Sequence, residues 1–170
     1  YEQAPANAMT TTPRKYAICN EMFEERPFEE AFAFARECGY TGVEIAPFTL
    51  AGDATQVSAE QRATVRGQIA DAGLECVGLH WLLAKTEGYY LTTPDAEVRR
   101  RTSDYFAELA RLCRDLDGSI MVLGSPQQRN LLPGVDHEQA EDYAAEVLRA
   151  VVPVFEDCGV TVALEPLGPG

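Results

Sequence analysis

The chain is poor in positive charge, in histidine and in long apolar runs. Its 14 lysines and arginines face 27 aspartates and glutamates, a formal net charge of −13, and it has two histidines and one tryptophan. That balance repels phosphate backbones and anionic lipid, whose binders carry a basic patch. Neither nucleic acid nor membrane is therefore an expected partner. No stretch approaches the roughly 20 apolar residues of a membrane-spanning helix, and the N-terminus lacks the basic segment and apolar run of a secretory signal. A cytoplasmic protein is the expectation. The glycine-rich patterns G-x-G-x-x-G and G-x-x-x-x-G-K-[ST] are missing, as is the G-x-S-x-G nucleophile elbow, which removes support for dehydrogenase, nucleotide-hydrolysing and serine-hydrolase chemistry. The five cysteines (Cys19, Cys38, Cys76, Cys113 and Cys158) are odd in number and never form a CxxC pair. This excludes a zinc knuckle and a disulfide framework, and their apolar neighbours predict buried, reduced thiols.

What is present suffices for one folded core: 170 residues, 46% hydrophobic and 24% charged, the composition of a soluble globular domain. Residues 1–14 are expected to be a leader outside the fold, and residues 15–170 to belong to a single domain. Within that span one phrase is used four times, as "FARECGYTGVEIA", "QIADAGLECVGLH", "ARLCRDLDGSIMVLG" and "VFEDCGVTVALEP". Each is a helical pattern, a stop and a short apolar strand. Gly39, Gly73, Gly118 and Gly159 stand where helix C-caps are expected, because glycine takes the left-handed conformation without a Cβ clash.

The helix starts are marked too. Pro27 suits a first helical position, with Glu29 and Glu30 in the first turn. Ser58 with Gln61, and Asp136 with Gln139, resemble capping boxes. Thr93-Pro94 is expected to open the third helix, and Pro153 to kink or end the fourth. Arg99, Arg100 and Arg101 read as a solvated face, and His137 as solvent-facing. With a first strand at "KYAICN" the order becomes β-α-β-α-β-α-β-α-β, an α/β chain with a parallel sheet covered by helices. A small doubly wound sheet and the first part of an eight-stranded barrel both fit five strands.

In either architecture ligands bind beyond the carboxyl ends of the strands. Those ends offer Asn20, then Glu44 in "GVEIAP", His80 and Trp81 in "GLHWLL", Ser125, Gln127 and Arg129 in "VLGSPQQRN", and Glu165 in "VALEP". A carboxylate in an apolar strand is expensive unless paired or bound to a cation, which singles out Glu44 and Glu165. Counting in steps of two places Glu165 on a face with Ala163 and Thr161, and His80 on a face with Gly78 and Cys76. Trp81, Tyr89 and Tyr90 share a loop with Lys85, and aromatic faces beside a cation suit a sugar or a phosphorylated sugar. Gln127 and Arg129 can address a hydroxyl or phosphate.

Taken in order, "GVEIAP", "GLHWLL", "VLGSPQQRN" and "VALEPL" resemble the sugar phosphate isomerase/epimerase superfamily with the xylose isomerase-like TIM barrel. The resemblance runs from about Lys15 to the last residue. It implies a parallel (β/α) barrel of that type, here its N-terminal part, about β1 to β5 with four helices. It implies a sugar substrate and a divalent metal (manganese, magnesium, cobalt or zinc), with Glu165 as a metal ligand and as one of two carboxylates acting as acid or base. Asn20, Glu44, His80, Trp81, Ser125, Gln127 and Arg129 would contact substrate. The family's remaining ligands come from strands six to eight, which this sequence lacks, so an incomplete and inactive chain is expected. The alternatives are a polyol dehydratase on the same fold and a non-catalytic half-barrel that binds a ligand or a second copy of itself; a homo-oligomer is compatible with either.

Overall fold

Among the described residues, five short strands alternate with four α-helices: β1 (Ala17–Cys19), α1 (Phe28–Glu37), β2 (Gly42–Ile45), α2 (Ala59–Asp71), β3 (Glu75–Leu79), α3 (Ala96–Asp115), β4 (Ile120–Leu123), α4 (His137–Cys158) and β5 (Thr161–Leu164). The computed structural model describes residues 14–23 and 25–166, so the expected leader lies outside the described residues apart from Arg14. All strands pair in parallel and in sequence order, β1-β2-β3-β4-β5. A doubly wound sheet starts from an interior strand and reverses direction. Here β1 is an edge and every strand lies beside its sequence neighbour, which is the order of a barrel.

Consecutive right-handed crossovers put the helices on one face of the sheet. On that face Val43, Ile45, Leu79, Met121 and Leu123 are fully buried. They join one core with Phe32 of α1, Val65 and Ile69 of α2, Phe106, Leu109 and Leu112 of α3, and Val147 and Val151 of α4. Each such side chain contributes about 1.5–3 kcal/mol on burial, so stability resides on the helix side. The alternate strand residues Glu44 and Val122 are only partly covered, and Ile120 and Ala163 are exposed. That open face leads up to the strand ends.

Several local expectations change. Gly39, Gly73 and Gly159 do adopt left-handed φ values of 92°, 70° and 65°, but at the end of α3 Asp117 takes that role with φ 64°. Gly118 is required for another reason: a Cβ there would stand 2.8 Å from Cα of Gly78. Thr93-Pro94 does not open α3. The helix begins at Ala96, because the Asp95 carboxylate accepts from the backbone N–H groups of Glu97 and Val98, satisfying two orphan donors at once. Asp136 and Gln139 form the full capping box, whereas the Gln61 amide donates to the Leu50 carbonyl and leaves Ser58 to cap alone. Pro153 lies inside α4, which continues to Cys158.

Arg99 is not part of a solvated face. It is buried, its Nε 3.1 Å from Glu146 Oε2, its Nη1 donating to the Thr93 carbonyl and its guanidinium 4.4 Å from the Tyr143 ring centre. It thus pins α3 to α4, while Arg100 stays exposed and pairs with Glu97 and Asp104. Of the cysteines only Cys113 is fully buried; Cys38 is exposed and the others lie between.

A close backbone approach joins β3 to β4, where a Cβ on Gly78 would come within 1.7 Å of the Ile120 carbonyl oxygen. Gly78→Ala is therefore expected to separate the two strands and abolish cooperative unfolding, followed by circular dichroism on heating. Gly67, inside α2, has open space around its would-be Cβ. Gly67→Ala should raise stability by about 1 kcal/mol, the helix propensity difference. A Gly78→Ala protein as stable as the parent would show that β3 and β4 are not in this register.

Candidate active site at the carboxyl ends of the strands

The site begins with a phase shift in β3. Val43 pairs with Cys76, but Glu44 pairs with Gly78, so Val77 is an extra residue, a β-bulge. Bulges bend a strand and re-aim the side chains beyond them. Because of it, Cys76 packs on the helix side with the core, not on the face of Gly78 and His80 as alternation alone predicts. Gly78 then stands beside Glu44, and His80 follows with its N–H bonded to the Ile45 carbonyl.

Three side chains converge there. His80 Nδ1 lies 2.9 Å from Glu44 Oε2, and His80 Nε2 lies 3.7 Å from Glu165 Oε2. An ionised carboxylate only accepts, so Nδ1 carries a proton and Nε2 is turned toward Glu165. The 3.7 Å gap is too long for a direct hydrogen bond and gives a ligand oxygen room to approach both groups. Glu165 is placed by two backbone bonds: its N–H donates to the Leu123 carbonyl, and Arg129 Nη2 donates to its carbonyl at 2.8 Å. Its side chain is 38% exposed, against 23% for Glu44 and 24% for His80. Glu165 is thus the member of the trio most open to solvent.

The hydrogen bond that His80 donates to Glu44 raises the His80 pKa, burial opposes it, and the Glu44 and Glu165 charges add to the rise. Burial pushes the Cys19 thiol up to about 11 and those of Cys76 and Cys113 up to about 12. These thiols are therefore protonated near neutrality and poor nucleophiles.

The other sequence-predicted residues divide. Trp81 is exposed, has φ 59° and stacks on His80 with ring centres 6.0 Å apart. Gln127 is exposed on the loop after β4. Asn20 and Ser125 are buried and engaged within the protein. The Asn20 amide donates to Thr49 Oγ1 and accepts from Ala46 N–H, both at 2.8 Å. Ser125 Oγ accepts from Leu83 N–H at 3.1 Å. Both act as loop ties beside the trio. The tyrosines are ties as well: Tyr89 donates to Asp53 Oδ2 and stacks on Tyr105, and Tyr90 donates to the Asn130 carbonyl. Sequence reasoning missed Phe48, whose ring lies under Lys85 Nζ at 4.2 Å. Its position just past the β2 strand end was the available signal.

Among the described residues, no group of three His, Cys, Asp or Glu side chains is arranged to hold a metal ion. Glu44 is committed to His80, and Glu165 with His80 does not complete a donor set. The residues present therefore do not by themselves fit a catalytic metal. Nor, among the described residues, is any helix long and apolar enough to cross a membrane.

The sequence model of the xylose isomerase-like TIM barrel family matches residues 32–170, and the chain belongs to that family. No curated protein sequence matches it. Among solved structures, it is similar to a D-psicose 3-epimerase from Clostridium cellulolyticum H10, at TM-score 0.72 and 18% identity over 89% of this chain and 52% of that one. A 3-keto-D-glucoside 4-epimerase from E. coli gives TM-score 0.68 and 18% identity over 91% and 57%. An AP endonuclease, family 2, from Brucella melitensis gives 0.61 and 22% over 90% and 55%. The chain spans about half the length of these proteins, and at such identities the likeness is one of fold.

A raised imidazole pKa means that protonated His80 favours the folded state. Its contribution is complete below the unfolded value of about 6.5 and is lost as pH rises through the folded value. His80 ring signals in NMR are expected to titrate with a midpoint above about 6.5, and Glu44→Gln should lower that midpoint. A wild-type midpoint at or below the ordinary value would contradict the Glu44 to His80 bond.

Proposed function

We propose that this chain is the N-terminal, five-stranded portion of a (β/α)8 sugar or sugar phosphate isomerase or epimerase, acting by proton transfer beside a carbonyl. The observation that carries the reading is the Glu44, His80 and Glu165 constellation at the carboxyl edge of a parallel sheet in barrel order. Membership of the xylose isomerase-like family supports it, as do the epimerases among the structural neighbours.

Glu165 is the group that removes a proton from carbon, being a partly exposed carboxylate held from both sides of its backbone. His80, aligned by Glu44, presents Nε2–H to the oxygen on which negative charge develops, the usual task of a positioned acid. The product of that step is an ene-diolate, and return of the proton to the other face or the neighbouring carbon completes epimerisation or isomerisation. Trp81 packs on the sugar's apolar face, and Gln127 addresses a hydroxyl. Arg129 acts by fixing Glu165; Asn20 and Ser125 hold the loops that carry the site.

A divalent metal belongs to this reading through the resemblance alone, with Glu165 as one donor. The described residues do not complete its shell, so no step is assigned to it. Dehydration of a polyol would begin with the same proton removal and differ by loss of water. A self-associating half-barrel has one observation in its favour: Leu164 on the edge strand β5 is 65% exposed.

Incubation of the whole eight-stranded enzyme that contains this chain with keto sugars and a divalent cation in heavy water, followed by proton NMR, should show loss of the signal beside the carbonyl. Glu165→Gln should slow that exchange by about 10³-fold and removal of the His80 imidazole by about 10²-fold, the range for acid and base groups. Exchange unaffected by Glu165→Gln overturns the reading. A stable dimer without exchange favours the half-barrel.

A further inference from the structure

A second cavity adjoins the trio. It measures 340 Å³ and lies between the loops after β1, β2, β3 and β4, with Phe48, Trp81, Lys85, Gln127, Gln128 and Glu21 on its walls. Its Trp81 ring stacks on His80, so the cavity starts where the proton-transfer site ends. The volume is near the lower end of the roughly 300–1,000 Å³ of small-molecule sites, suited to one ring.

The backbone marks the same place. Among the described residues four non-glycine residues have left-handed φ: Trp81 at 59°, Lys85 at 59°, Ser125 at 39° and Asp117 at 64°. The first three line this cavity. Such conformations are unfavourable for residues with a Cβ, persist only where the surroundings enforce them, and cluster at ligand clamps. Here Leu82 and Leu83, fully buried, and the bond from Leu83 N–H to Ser125 Oγ enforce them.

The chemistry of the walls selects a neutral polyhydroxylated ring. Phe48 and Trp81 offer apolar surfaces of the kind that take the C–H face of a sugar. Around them stand a donor, Lys85, an acceptor, Glu21, and two amides that do both, which matches hydroxyls that each donate and accept. An anion is disfavoured because Glu21 shares the cavity with its sole cation and Lys85 is already seated over Phe48.

Building on the sugar reading above, we infer that this cavity is a second subsite, taking a further neutral sugar ring, so that the substrate is a glycoside or short oligosaccharide rather than a free monosaccharide. Trp81, the single tryptophan of the chain, reports on both subsites by its fluorescence. Titration with cellobiose, trehalose, D-glucose and D-glucose 6-phosphate is expected to give at least one disaccharide a Kd ten or more times lower than that of D-glucose. In Phe48→Ala, and separately in Gln128→Ala, that ratio should fall toward one, with thermal unfolding confirming that each variant is folded. Disaccharides binding no more tightly than D-glucose overturn the second subsite and leave the sugar reading standing. Tightest binding by D-glucose 6-phosphate, lost in Lys85→Ala, also overturns it, in favour of an anion subsite. Binding of none of the four overturns the second subsite, and the sugar reading then stands or falls by the exchange experiment with keto sugars.

Discussion

The close approach of β3 to β4 governs the rest of the structure. Gly78 leaves no space for a side chain against the Ile120 carbonyl, and a Cβ on Gly118 would stand 2.8 Å from the Gly78 Cα. With β3 fixed there, the extra residue Val77 is taken up on the β2 side, where pairing steps from Val43–Cys76 to Glu44–Gly78. A slip of one residue turns every later side chain to the opposite face. His80 reaches Glu44 because of that slip. The imidazole between two carboxylates is thus a consequence of where two backbones touch.

Electrostatics follows from this packing. In a chain of net charge −13, two carboxylates facing each other across a cleft repel, and the imidazole between them is the local remedy. Its raised pKa, due first to the Glu44 hydrogen bond, favours the protonated imidazole between them. Arg129 contributes to the same corner through the Glu165 backbone carbonyl rather than through its carboxylate. The trio therefore combines a fixed acid, a base with access to solvent and a partner that orients the acid. The covered helix face supplies the rigidity, since the apolar side chains of all four helices join one core there.

Much of this was legible in the sequence, for identifiable reasons. Strand and helix alternation is written in local signals, the helical spacing of apolar residues and the glycines after α1, α2 and α4, and these survive folding unchanged. Glu44, His80 and Glu165 could be singled out because each is a polar residue in or just after an apolar strand. Other features depend on partners distant in sequence. Val77 becomes a bulge only when β2 lies beside it, and Asn20 and Ser125 are occupied because Thr49, Ala46 and Leu83 come within reach. Arg99 reads as surface until α4 brings Glu146 and Tyr143 to it. Phe48 shows no polar signal, and its role emerges once the loops after β2, β3 and β4 are assembled.

The most direct test of the account is a crystal structure of the protein soaked with a keto sugar. The account expects the sugar at the carboxyl ends of the strands, with one oxygen within about 3.2 Å of His80 Nε2, a carbon-bound hydrogen facing Glu165, and the indole of Trp81 against the ring. A sugar bound elsewhere, or one at this edge that touches neither His80 nor Glu165, would contradict it.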